Sequence, residues 1–257
     1  MLLIEQFSLK NRVGPVSGQC KAGHLTLLIG PNGSGKSSLL SGAAGLSTSD
    51  AGLGHAGLGS VRLDGACLST LRIDELARFR AMLAQDTVLP HGLMGYELLA
   101  LGAEPVGGVT DRVCHTLARL AEPLGLSRLY QRYINTLSGG EQQRLLIAST
   151  LLQVDPSVNP DGKLLILDEP LAGLDWHHQL ATLRLLRDYA ALGLTVIASI
   201  HDINLACQYG DEIWCLDQGR LVASGPASIV TPALIAEVFD VRVQRIEQAG
   251  VSLLVPF

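Results

Sequence analysis

Residues 30–37 read Gly-Pro-Asn-Gly-Ser-Gly-Lys-Ser, set between the apolar run Leu25–Ile29 and a helix opening at Ser38, Leu39 and Leu40. A buried strand, a glycine-rich turn and a helix start, in that order, leave few folds open. Gly30, Gly33 and Gly35, with Pro31, Asn32 and Ser34 between them, let the backbone curl so that its N–H groups point inward. The new helix adds the partial positive charge of its N-terminus at the same spot. Such a ring cradles phosphate oxygens. Lys36 is placed to reach β- and γ-phosphates, the Ser37 hydroxyl to ligate Mg²⁺, and Ser38 completes the phosphate-binding set. The stretch predicts a nucleoside triphosphate site.

The 257 residues suffice for one large domain. Hydrophobic residues make up 47% of the chain, yet no apolar run approaches the roughly 18 residues that a spanning helix needs. They fall instead in short blocks such as Leu164–Leu167 and Leu194–Ile200, the pattern of parallel strands buried on both faces. A net charge of −5 argues against a nucleic-acid partner. The cysteines, Cys20, Cys67, Cys114, Cys207 and Cys215, form no C-x-x-C pair and read as small core residues of a reducing compartment. Met1–Gln6 has neither a basic n-region nor a cleavage site, so a location inside the cell is expected.

Apolar runs alternate with helical patterns, which predicts an α/β sheet covered on both faces. Expected strands are Leu2–Ser8, Leu25–Ile29, Val61–Leu63, Ala81–Ala84, Leu164–Leu167, Thr195–Ser199, Ile213–Asp217 and Leu221–Ser224. Within 86–155 the strand signal disappears. Val113, Leu117, Leu120 and Leu124 recur there at helical spacing, as do Leu145, Ala148 and Leu152. A further helix, punctuated by Pro170 and Gly193, carries the stripe Leu180, Leu183, Leu186 and Ala190. The expected layout is one domain over 1–257. Its nucleotide-binding α/β core covers about 1–85 and 161–225, and a helical subdomain is inserted at about 86–160. A small antiparallel β subdomain accompanies the core, and 226–257 form a C-terminal tail. Residues 47–60, rich in glycine around His55, predict a mobile surface loop.

A triphosphate site alone is compatible with many hydrolases. Leu137-Ser138-Gly139-Gly140-Glu141-Gln142-Gln143-Arg144 narrows the field. Ser138 offers a hydroxyl, Gly139 and Gly140 permit close backbone approach, and a helix begins immediately after, a second place suited to an anion. Ser138 and Glu141 also have the spacing of a capping box. Downstream, Leu164–Leu167 ends in Asp168-Glu169-Pro170, which puts paired acids at the carboxyl edge of a sheet, where ligands of α/β folds bind. His201 follows the run Leu194–Ile200 at another carboxyl edge.

Together these stretches resemble the ABC-transporter ATPases from Ile4 to about Val243, and Ser138–Arg144 resembles their signature sequence. The resemblance implies a P-loop NTPase core, a RecA-like mixed sheet with flanking helices. It implies that Asp168 holds the Mg²⁺ shell of the bound ATP and that Glu169 polarises the attacking water. His201 matches the switch histidine that contacts the γ-phosphate. Gln85 matches the glutamine that touches Mg²⁺ and links the helical lobe to membrane subunits. Asp175, after Leu174, matches a loop at the dimer interface.

One P-loop and one signature cannot complete a site, so the resemblance implies a composite. Lys36 and Asp168 of one copy would face Ser138, Gly139, Gly140 and Glu141 of a second copy. Implied partners are that second copy, integral-membrane permease subunits and, indirectly, a periplasmic or extracellular substrate-binding protein. The implied location is peripheral, on the cytoplasmic face of the bacterial inner membrane. Most members carry an aromatic residue upstream of the P-loop to stack on adenine. Residues 9–16 have none, and Phe7 reads as a core residue, which leaves Arg12 to cover the base through its guanidinium plane. Within the family, Arg12–Gly18 (a short link into the P-loop strand), Gln153–Gly162 and the tail from Leu221 through Pro232 resemble ATPases that energise cobalamin import. Haem or iron-siderophore importers, exporters and soluble non-transport members remain alternatives.

Overall fold

The computed structural model describes residues 1–46, 58–87, 89–90, 92–248 and 250–257. The stretch 47–57, including His55, lies outside the described residues. The chain runs through β1 (Leu2–Leu9), β2 (Val13–Cys20), β3 (Leu25–Ile29), α1 (Lys36–Ala43), β4 (Leu58–Leu63) and β5 (Ala66–Cys67). It continues with α2 (Ile73–Phe79), β6 (Arg80–Leu83), α3 (Gly95–Ala103), α4 (Asp111–Ala121), α5 (Gly139–Val154) and β7 (Leu164–Leu167). Then come α6 (Trp176–Ala191), β8 (Thr195–Ser199), α7 (Ile203–Tyr209), β9 (Glu212–Asp217) and β10 (Arg220–Gly225). Last are α8 (Pro232–Phe239), β11 (Val243–Gln248) and β12 (Val251–Pro256).

The fold is mixed α/β. A 6-stranded sheet in the order β10-β9-β3-β8-β7-β6 is parallel except for β10, which pairs antiparallel with β9. Side chains alternate across it with period 2 and so feed two cores. Leu28, Leu164, Ile166, Ile197, Trp214 and Leu216 pack on one face with Leu2, Ile4, Phe7, Leu39 and Leu40. Leu27, Ile29, Leu165, Leu167, Val196 and Ala198 pack on the other with Leu145, Ile147, Leu183 and Leu186. Strands sandwiched this way must be apolar on both sides, which is why they read as continuous hydrophobic runs.

A 4-stranded antiparallel sheet, β2-β1-β4-β5, covers the first face. Here the structure corrects the sequence reading. Val13–Cys20 is a full strand rather than a link, paired from Leu2↔Cys20 to Leu9↔Val13. Gly14, Pro15 and Gly18 disguise it. Pro15 is tolerated because β2 is an edge strand and needs no N–H there. Gly18 lies where a Cβ would meet the Trp214 ring at 2.5 Å. Residues 226–257 carry α8 and the β11–β12 hairpin.

The long helices start where side-chain caps supply oxygen: Thr110 for α4, Ser138 for α5 and Asp175 for α6. Buried Asp155, just past α5, accepts from the Tyr189 hydroxyl at 2.6 Å and from Arg119, tying α5 to α6 and α4. All five cysteines are free, but only Cys20 and Cys215 are buried. Cys114 is exposed, because Val113 and Thr116 take the inward face of α4. Among the described residues no helix is long and apolar enough to cross a membrane.

Candidate nucleotide site

Adjacent parallel strands β3, β8, β7 and β6 deliver their following residues to one edge of the sheet. That edge receives the glycine-rich loop after β3, Asp168-Glu169 after β7, His201 after β8 and Gln85 after β6. A cleft of about 460 Å³ lies between them, lined by Asn32–Ser38, Asn11, Arg12, Gln85, Glu169 and His201.

The loop half of the cleft is cationic and rich in free donors. Lys36 is buried, and its ammonium donates to the carbonyls of Gly30 at 2.8 Å and Pro31 at 3.1 Å. Burial pulls its pKa down, opposed by the carboxylates of Glu169 and Asp168. No side chain caps α1, whose cap residue Gly35 has φ 99°, so its first N–H groups stay available to an anion. Buried Ser34 Oγ has no hydrogen-bond partner among the described residues. A Cβ on Gly35 would come within 2.9 Å of the Arg12 carbonyl, so the β1–β2 turn rests on the loop and brings Arg12 to the cleft.

The acidic half is a connected hydrogen-bond chain. Ser37 Oγ donates to Gln85 Oε1 at 3.4 Å, and Gln85 Nε2 donates to Glu169 Oε2 at 3.0 Å. Glu169 Oε1 meets His201 Nε2 at 2.8 Å. Beneath them, Ser199 Oγ donates to Asp168 Oδ1 at 2.6 Å and accepts the Glu169 N–H at 2.8 Å. Glu169 sits at φ 51°, the left-handed region that costs a non-glycine residue about 1 kcal/mol or more. That conformation turns its carboxylate toward His201 and Gln85 while Asp168 stays buried.

The signature stretch forms a real capping box. Ser138 Oγ accepts from Glu141 N–H at 3.3 Å, and Glu141 Oε2 accepts from Ser138 N–H at 2.8 Å. That backbone bond, with Arg132 nearby, holds the Glu141 carboxyl below the usual range. The two glycines differ in duty. A Cβ on Gly140 would stand 2.5 Å from the Gly173 carbonyl, whereas Gly139 faces open space. None of residues 138–141 lines the cleft formed by the glycine-rich loop of the same chain.

Residues 13–172 match the ABC transporter family model. The chain belongs to the ABC transporter ATPases. It is 39% identical over 245 residues to the vitamin B12 import ATP-binding protein BtuD of Yersinia enterocolitica, covering 95% of this chain and 93% of that one. It is 37% identical over 256 residues to the BtuD protein of Citrobacter koseri, covering 99% and 98%. Among solved structures, an ATP-binding subunit of an ABC transporter superposes with TM-score 0.77 at 26% identity over 94% of each chain. The dimeric bacterial ABC transporter cassette MJ0796 superposes with TM-score 0.74 at 24% identity, covering 88% of this chain and 99% of that one. As an ABC transporter ATPase, the protein is an ATP-hydrolysing transport enzyme.

In this ABC ATPase the fold gathers Arg12, Asn32–Ser38, Gln85, Glu169 and His201 at the cleft and keeps Asp168 just below it. Ser138–Glu141 and Asp175 lie elsewhere, at the starts of α5 and α6. Sequence reasoning missed Ser199. Its signal was a polar residue closing the wholly buried strand β8. It also assigned nothing to Gln143, whose amide reaches the Pro170 carbonyl at 3.2 Å and ties α5 to the acidic turn. Ser199→Ala strips partners from Asp168 Oδ1 and the Glu169 N–H. The expected cost is about 1–3 kcal/mol, read as a fall of several degrees in melting temperature, with slower ATP turnover. An unchanged melt would show that the serine is dispensable.

Proposed function

We propose that this chain energises an ABC importer for vitamin B12, two copies closing around two ATP molecules at composite sites. The full-length similarity to vitamin B12 import ATP-binding proteins supports the cargo. One observation supports the composite site: Ser138–Glu141 form a capped helix start that does not line the chain's own cleft. The stretch is therefore free to meet the γ-phosphate of a second copy's ATP. The membrane connection would run through permease subunits, contacted by the helical insertion that follows Gln85 on the cytoplasmic face. A substrate-binding protein outside the membrane would deliver the cargo.

ATP enters with its phosphates over α1. Lys36 turns from the Gly30 and Pro31 carbonyls to the β- and γ-phosphates, and Ser34 gains a partner for its orphan hydroxyl. Arg12, on the β1–β2 turn, covers the base. Ser37, Gln85 and Asp168 form an all-oxygen donor set suited to a hard divalent cation. Mg²⁺ held there with the phosphates supplies neutralisation of developing charge. Glu169 takes the proton of the attacking water at its carboxylate. Gln85 holds that carboxylate in place, and His201 turns its N–H from Glu169 to the γ-phosphate. Ser138 of the second copy closes the opposite side.

Ser138→Arg tests the composite site. Turnover should fall by about 10²- to 10³-fold, the scale of losing an anion-stabilising donor, while the isolated monomer binds ATP as before. If equilibrium binding to the monomer falls as far as turnover does, Ser138 acts within its own chain and the composite site is wrong. Cargo is tested by recovering the complex from detergent-solubilised membranes and measuring which ligand its substrate-binding partner retains.

A further inference from the structure

Arg144 lies on α5, and its guanidinium folds back toward the start of that helix. Nε donates to the Gly140 carbonyl at 3.4 Å, and Nη1 donates to the Leu124 carbonyl at 2.8 Å. Nη1 also stands 3.0 Å from Nε2 of His178 on α6. A guanidinium has only N–H groups to offer, so Nε2 accepts and the ring carries its proton on Nδ1. Nδ1 stands 2.8 and 2.9 Å from the two oxygens of Asp175, the cap of α6. Asp175 also accepts the His178 backbone N–H at 2.9 Å, the first cause of its lowered carboxyl pKa. Arg144 Nε and Nη1 and His178 Nδ1 thus link the Gly140 and Leu124 carbonyls to the Asp175 carboxylate.

The surroundings are shaped for the meeting. A Cβ on Gly125 would stand 2.5 Å from Arg144 Nη1 and 3.1 Å from His178 Nε2. The His178 side chain is only 18% exposed, whereas Asp175 is 66% exposed and free to face a partner. Neither Arg144 nor His178 lines the cleft, so neither can act on the chain's own nucleotide directly.

We propose that His178 is a positioning residue: with Arg144 it clasps the start of α5 to the start of α6, so that Gly140 and Asp175 are presented to the second copy as one rigid unit. This rests on the composite-site reading. The clasp sets the distance between two surfaces that must reach the opposite ATP together. Loosening it leaves each chain's own phosphate cradle untouched and slows the chemistry that needs both copies. The role requires one acceptor toward Arg144 and one donor toward Asp175. A glutamine amide offers both, and an alanine offers neither.

The test compares full-length wild type, His178→Ala, His178→Gln and Glu169→Gln in steady-state ATP hydrolysis, with equilibrium binding of a fluorescent ATP analogue and thermal melts. His178→Ala should bind the analogue within about twofold of wild type and lose about 10- to 100-fold in kcat, the scale of a misplaced catalytic group. His178→Gln should recover kcat to within about threefold of wild type. Wild-type kcat in the alanine variant overturns the clasp. So does a glutamine variant as slow as the alanine one, which would make ring packing the cause. If His178→Ala melts below the assay temperature, Arg144→Lys takes its place, since lysine keeps the charge but cannot span the carbonyls and His178 at once. The same split is then expected, and wild-type kcat again overturns the clasp. Persistent turnover in Glu169→Gln would instead sink the reading of the catalytic site, independently of the clasp.

Discussion

Glu169→Gln is expected to lower ATP turnover by about 10²- to 10⁴-fold, the range for loss of a general base, while ATP stays bound. The amide keeps the shape of the side chain. Its carbonyl oxygen can still accept one of the two hydrogen bonds that reach the carboxylate, from His201 or from the Gln85 amide. What disappears is the charge that draws a proton from water. The P-loop half of the cleft, with Lys36, Ser34 and the uncapped start of α1, is unaffected. ATP should therefore accumulate unhydrolysed. With Mg-ATP the variant should move from monomer toward dimer on size-exclusion chromatography, and ADP should not support the shift. Turnover in the complex with its membrane subunits decides the matter. Substantial hydrolysis there would mean that Glu169 is not the base, leaving His201, 2.8 Å from it, as the next residue to test.

Lys36→Ala should abolish productive ATP binding and reduce turnover on the order of 10³-fold, as expected when a preorganised cationic partner of phosphate is removed. The ammonium is buried and aimed by two backbone carbonyls, so it is already close to where the β- and γ-phosphates would lie. Burial and the nearby carboxylates pull its proton affinity in opposite directions, and the shift is downward. Loss of the charge leaves the phosphates facing Asp168 and Glu169 with no direct positive side chain from the loop. Calorimetric titration with ATP should show little heat, while the melting temperature stays near wild type because only the two carbonyl contacts are lost. Near-wild-type hydrolysis would remove Lys36 from the mechanism.

Much of this molecule was decided locally. Leu25–Ile29 and Leu164–Leu167 are strands at the residues where their apolar runs begin and end, and Thr195–Ser199 lies within the run Leu194–Ile200. A strand buried on both faces has no other way to be written. Ser138 and Glu141 cap α5 because they stand three positions apart, which sets the hydroxyl and the carboxylate at the reach of each other's backbone N–H. The glycine-rich turn was legible for the same reason: it is one turn of backbone between a strand and a helix.

Where the contacts join residues far apart in the chain, local pattern carried little. Val13–Cys20 looked like a link because Gly14, Pro15 and Gly18 are turn residues, yet pairing with β1 at the sheet edge makes it a strand. Ser199 acquires its role only because β8 lies beside β7, which sets its hydroxyl against Asp168. Gly140 needs to be glycine because Gly173 arrives from another element, and His178 meets Arg144 only when α6 docks beside α5. Periodicity marked which elements exist, and short motifs marked which strand ends to expect at a phosphate site. The tertiary structure decided which side chains hold those groups in position, because hydrogen bonds act over about 3 Å and only packing brings distant elements that close.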